Sequence, residues 1–168
     1  MAISTEFTTN VYCGQRPVHI AALLELYERN YNLVEQLVPE LDLPFDSAVS
    51  RSVTDLPLHL TVQERSRYTC AFKLTYEFTD AQGTRLDPDL QLRVYRDAHV
   101  VEALRCVTRP PWQAEGDGDP QVERFLTAQW SRNLLLYKWL NYLLHHGHGF
   151  GMAGRPRARI GATKQAAA

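Results

Sequence analysis

An α+β domain is predicted: an antiparallel four- to five-stranded meander sheet with an N-terminal helix and a long C-terminal helix packed on one face. Three observations predict it. Apolar residues recur at helical spacing near both ends of the chain. The middle of the chain alternates apolar and polar with period two. The alternating runs are joined by short turns, which suit antiparallel pairs because a parallel pair needs a long crossover.

The elements follow in order. Residues 1–16 are polar and patternless, which predicts a disordered N-terminal tail. Pro17 fits the first turn of a helix, where its missing N–H costs nothing. Ile20, Leu23, Leu24, Tyr27, Tyr31, Val34, Leu37 and Val38 then form one apolar stripe, and Pro39 stops the helix. A short strand is expected around Ala48 to Val53. Leu58, Leu60 and Val62 alternate with polar residues, as do Tyr68, Cys70, Phe72, Leu74, Tyr76 and Phe78, and Glu64 to Arg67 reads as the turn between them. Asp80 to Pro88, with Gly83, reads as a loop. Leu90, Leu92 and Val94 make the next strand, Arg96-Asp97 a tight two-residue turn, and His99 to Val107 the last strand. After Pro110-Pro111 and the Glu115-to-Asp119 stretch, Asp119 reads as an N-cap and Pro120 as the first residue of a long helix. Its apolar positions are Val122, Phe125, Leu126, Trp130, Tyr137, Leu140, Leu143 and Leu144, and Gly147 closes it. The expected organisation is one α+β domain over residues 17–147, with a flexible basic C-terminal tail over 148–168 holding Arg155, Arg157, Arg159 and Lys164.

Composition narrows the function classes. The 168 residues are enough for one domain, which at this size buries roughly 70% of its unfolded surface. A net charge of -1 gives no strong nucleic-acid signal. The three cysteines, Cys13, Cys70 and Cys106, lie far from any CxxC spacing and read as reduced thiols. No segment reads as a signal peptide, and no apolar run is long enough to span a bilayer, so a cytoplasmic protein is expected. The motifs GxSxG and the P-loop are absent from the sequence, and no cofactor is expected.

Several strings carry a resemblance. They are Tyr27-Glu-Arg-Asn-Tyr31 leading to Leu37-Val-Pro39, then Glu64-Arg-Ser-Arg-Tyr-Thr69, then Arg93-Val-Tyr-Arg-Asp-Ala98 with Glu102, and Asn133-Leu-Leu-Leu-Tyr-Lys-Trp-Leu140 ending in His146-Gly147. In this order the chain resembles the YqiB-like family of uncharacterised bacterial proteins over roughly residues 20 to 147. The resemblance implies no activity. Genes of that family often lie beside those of nucleotide-cleaving enzymes, which is an association and not a mechanism.

Polar residues in unusual places supply the candidate ligand-binding set. Glu64, Arg67, Tyr68, Arg93, Tyr95, Asp97 and Glu102 gather around two hairpins. Arg93 and Tyr95 share one strand face, and Glu102 is expected to approach Arg93 diagonally. Such a group could bind an anion bidentately, or form a cross-strand ladder of exposed ion pairs worth under about 1 kcal/mol each. Asn30 and Asn133 are expected to face inward from the two helices, pairing with each other or with backbone, or presenting an amide to a ligand. His145, His146 and His148 lack ligand spacing, so a metal site is not expected, and helix C-terminal chemistry accounts for them. Tyr76, Tyr95 and Trp112 read as aromatics prone to exposure. The expected function is a non-enzymatic binding module for a protein partner or a small anionic ligand. The rival is an enzyme acting on a nucleotide or phosphoester through Glu64, Asp97 and Glu102.

Overall fold

The computed structural model describes residues 20–106 and 120–151. Helix α1 (Ile20–Leu37) leads into five strands, β1 (Ser47–Ser50), β2 (Leu58–Arg65), β3 (Thr69–Asp80), β4 (Gly83–Tyr95) and β5 (Val100–Cys106), and helix α2 (Pro120–His145) follows. Each strand pairs antiparallel with the next, so the sheet is the expected meander, β1-β2-β3-β4-β5. The expected N-terminal tail, Trp112, the Asp119 cap and residues 152–168 of the expected C-terminal tail lie outside the described residues.

Period-two alternation puts one set of side chains on one sheet face. Leu58 and Leu60, Phe72 and Leu74, Leu90 and Leu92, and Val101 and Ala103 are all buried there. They share one core with Val34 and Leu37 of α1 and Leu136, Leu140 and Leu143 of α2, so both helices cover the same face. Each fully buried leucine contributes about 1.5–3 kcal/mol by leaving water.

The helices run side by side in the same direction. Tyr27 contacts Gln129 and Asn30 contacts Asn133, so contacts climb both helices together. Toward their N-terminal ends, Leu23, Leu26 and Trp130 form a second, smaller cluster. This corrects the expected stripes. Ile20, Leu24, Val122 and Phe125 are exposed, because the main core does not reach the first turns of the helices. Leu26 and Asn30 are fully buried instead.

Three turns also differ from expectation. β3 and β4 run on through the segment expected as a loop, joined by a turn at Ala81-Gln82. The Asp80 carboxylate accepts the Gln82 N–H at 2.8 Å, and Gly83 supplies φ 126°. Residues 79–87 are exposed, so neither face of this ribbon needs apolar residues and no alternation marks it. The first hairpin turns at 66–68, which leaves Glu64 and Arg65 in β2. The β4–β5 turn spans four residues, 96–99, and ends at His99 with φ 52°. Two extra turn residues preserve side-chain parity but make Arg93 and Glu102 direct cross-strand partners rather than diagonal ones.

The end of α2 follows from Gly147. Its φ of 77° suits a residue without Cβ. The Gly147 N–H bonds Leu144 O at 3.1 Å and the His148 N–H bonds Leu143 O at 3.0 Å, the paired bonds of a Schellman motif. The chain then turns back into the protein. His148 and Phe150 are buried, and the Phe150 N–H caps Leu37 O of α1 at 2.8 Å. Packed structure therefore continues through this segment, past residue 147.

Gly147→Ala should cost about 1–2 kcal/mol, the penalty of a left-handed conformation for a residue with Cβ. No atom lies within 4 Å of the added carbon, so the whole effect is conformational. Urea unfolding should show a lower midpoint with an unchanged slope.

Candidate functional site

The polar centre of the molecule lies where the two helices meet the edge of the sheet. β5 is an edge strand, and its Ala103 N–H points away from β4 to the Asn133 side-chain oxygen at 2.9 Å. The Asn133 Nδ2 donates to Gln129 O at 2.8 Å, and the Asn133 carbonyl accepts Asn30 Nδ2 at 3.1 Å. Both asparagines are fully buried. They therefore join α1, α2 and β5, with the Leu23–Leu26–Trp130 cluster on one side and the main core on the other. The edge amide that could recruit a foreign strand is occupied from within.

Around this joint stand groups from four elements. One turn before Asn30, the Tyr27 hydroxyl donates to Gln129 Oε1 at 3.4 Å. Burial first, then the Glu102 carboxylate, pushes the Tyr27 phenol up to about 12, with the Arg132 guanidinium pulling the other way. The Tyr95 hydroxyl donates to Glu102 Oε1 at 2.7 Å, and burial followed by that bond raises its phenol, against the opposing effect of Arg93. Both phenols are thus neutral donors at ordinary pH. Arg132 Nε and Asn30 Oδ1 are buried and have no hydrogen-bond partner among the described residues. A donor and an acceptor left in this state each cost about 1–3 kcal/mol.

The expected residues therefore divide into two groups. Asn30 and Asn133 meet at the edge joint, while Tyr95 bonds Glu102 and Arg93 lies directly opposite Glu102 on the neighbouring strand. Tyr27, Gln129 and Arg132 complete the group and were not singled out in the sequence. The signal that could have found them is the i, i+3 spacing of Tyr27 to Asn30 and the i, i+4 spacing of Gln129 to Asn133. The other candidates face solvent. Glu64 pairs with Arg93 at 3.7 Å on the sheet face away from the helices, and Arg67 stacks on the exposed Tyr68 ring at 5.0 Å. Asp97 lies exposed in the β4–β5 turn. Lys73–Asp89 at 3.0 Å and His59–Glu77 at 3.8 Å extend the row of exposed-face pairs beyond Arg93–Glu64.

A second polar chain, missed in the sequence, ties down the end of α2. His148 Nε2 lies 3.2 Å from Asp55 Oδ2, which also accepts the Tyr76 hydroxyl at 2.5 Å. Asp55, ionised, can only accept, so in a neutral imidazole Nε2 carries the hydrogen and Nδ1 accepts from Ser50 Oγ at 3.2 Å. Serine, imidazole and carboxylate are the components of a nucleophilic relay. Here Ser50 is 3% exposed and its oxygen already accepts the Gly149 N–H at 3.0 Å, so the chain braces β1 against the 148–150 segment. Tyr76, expected as an exposed aromatic, is buried at the end of this brace and meets Trp139 edge-on. Of the other histidines, His146 stacks on Tyr142 and places Nδ1 3.3 Å from Thr54 Oγ1, and His145 is exposed. Among the described residues no group of three His, Cys, Asp or Glu side chains could hold a metal ion, and no helix is long and apolar enough to cross a membrane.

A family model described as a protein of unknown function (DUF1249) matches residues 33–149, a span that includes β5, Asn133 and the His148 brace. No curated protein and no solved structure matches the chain.

Two substitutions test the joint and the brace. Asn133→Leu keeps the branched shape but leaves the Ala103 N–H without an acceptor, so stability should fall by about 2–3 kcal/mol in chemical unfolding. Burial alone would raise Asp55, but the bonds from Tyr76, the Leu56 N–H and His148 outweigh it and hold the carboxyl below its ordinary 3.8. Its contribution is therefore complete above that value and is lost as pH falls through the lower folded-state value. The stability gap between the protein and Asp55→Asn should be wide at neutral pH and narrow below about pH 4, measured by urea titration at a series of pH values.

Proposed function

For this chain, which belongs to the DUF1249 family of proteins of unknown function, we propose a non-enzymatic binding module that takes a small ligand bearing an anionic group at the joint of α1, α2 and the β5 edge. One observation carries the reading: Arg132 Nε and Asn30 Oδ1 are buried and have no hydrogen-bond partner among the described residues. A ligand that met both atoms would recover the cost of leaving them unpaired. The guanidinium of Arg132 supplies the positive charge.

Support for catalysis is thinner. Glu64 and Asp97 lie exposed on the outer face and in a turn, Glu102 is engaged by Tyr95, and the Ser50 hydroxyl is enclosed. The open face favours a protein partner only through solvated ion pairs, which contribute little individually.

The test is a thermal-shift screen of the purified protein against small carboxylates and phosphates. A ligand at about 100 times its dissociation constant adds roughly 2.7 kcal/mol, or several degrees for a domain of this size. The shift should disappear in Arg132→Gln and persist in Arg67→Gln, whose side chain lies on the exposed turn. A shift lost equally in both variants, or kept in both, would place the ligand elsewhere.

A further inference from the structure

The solvent face of α2 carries charge of one sign only. From Arg124 to His148 the sequence has no Asp or Glu. Arg124, Ala128, Leu135, Lys138, Tyr142 and His145 recur at helical spacing and are all exposed, so they form one line along the helix. Elsewhere in the protein, Arg29, Lys73, Arg93 and Arg96 each pair with a carboxylate. Among the described residues, neither Arg124 nor Lys138 forms an ion pair.

Two large apolar side chains share the line. Leu135 is 38% exposed and Tyr142 44%. The Tyr142 ring stacks on His146 with centroids 4.1 Å apart, and His146 Nδ1 lies 3.3 Å from Thr54 Oγ1. A ring held in this way loses little freedom on contact with a partner, which suits it to anchor an interface. The loop fastened to His146 also presents Val53, which is fully exposed.

We propose that this line docks an acidic helix of a partner protein. Its apolar residues meet Leu135 and Tyr142, and its carboxylates meet Lys138 and Arg124. The spacing selects a helix. Leu135 and Tyr142 stand two turns apart, about 10.5 Å along the axis, as do side chains seven residues apart on a second helix. Lys138 lies between the two anchors, where a carboxylate one turn from either apolar residue of the partner reaches it. Other anionic surfaces ask for more charge than Arg124 and Lys138 supply. A polybasic membrane site gathers about four to eight Lys or Arg, and a nucleic-acid backbone is likewise held by many cations.

Fluorescence anisotropy of the full chain with dye-labelled probes tests the assignment. One probe is a synthetic helix with leucine at every seventh position and glutamate between. A second has lysine in place of each glutamate, and a third is duplex DNA. Phosphatidylglycerol vesicles are tested by co-sedimentation. The glutamate helix should bind about tenfold tighter than the lysine helix, and its binding should weaken as salt is raised. Lys138→Glu should remove that preference, and Leu135→Ser should weaken the glutamate helix about tenfold. Arg67→Glu, on the exposed 66–68 turn, should leave binding unchanged. Thermal midpoints near that of the parent would show that the variants fold. Equal binding of the two helices, a preference that survives Lys138→Glu, or equal loss in Arg67→Glu would overturn the proposal. So would tighter binding of DNA or vesicles, or failure of the glutamate helix to bind.

Discussion

One side chain, Asn133, holds three elements together. Its amide oxygen takes the outward N–H of β5, its amide nitrogen serves the preceding turn of α2, and its backbone carbonyl takes the Asn30 amide of α1. Apolar contact alone does not fix how far one helix slides along another, because dispersion is non-directional and nearly degenerate over small shifts. Hydrogen bonds with defined partners do. With Asn30 set opposite Asn133, Leu26 meets Trp130 on one side and Val34 joins Leu136 and Leu140 in the core on the other.

The far end of the helix pair is held by different chemistry. There the Schellman turn reverses the chain and carries His148 to Ser50 and Asp55, while the Phe150 N–H closes the end of α1. The two polar assemblies differ in completeness. In the brace, Ser50 Oγ, both ring nitrogens of His148, the Tyr76 hydroxyl and both Asp55 oxygens are engaged. At the edge joint, a donor and an acceptor have no partner among the described residues. A fully satisfied network rigidifies; an incompletely satisfied one inside a stable frame is where a ligand gains most by entering.

Sequence periodicity revealed the architecture because burial on one face leaves a repeat that can be counted. It failed where burial fails. The β3–β4 ribbon is exposed along residues 79–87, so nothing distinguished it from a loop, and Ile20 and Phe125 kept the spacing of a buried stripe beyond the reach of the core. Asn133 was placed inside correctly although Val122, its reference point, is exposed, because eleven residues is about three turns whichever face is central. The site was only half legible. Its strand half, Arg93, Tyr95 and Glu102, shows as charge within an alternating run. Its helix half depends on how α1 and α2 are rotated against each other, which no single-helix pattern encodes. The brace joins residues 98 positions apart in the Ser50–His148 contact, and each of its members looks ordinary in its own neighbourhood.

The helix pairing also has a consequence for folding order. Asn30 and Asn133 are separated by 103 positions, so the contact that aligns the helices waits for almost the whole domain to be synthesised. The sheet is built from sequential hairpins and can assemble locally, but closing α2 onto α1 is a long-range step of the kind that slows folding. Until α2 emerges from the ribosome, the Ala103 amide on β5 has no partner and the apolar face of α1 lies uncovered. A nascent chain halted before residue 133 would expose an edge and a greasy helix together, the combination that chaperones recognise and aggregates exploit.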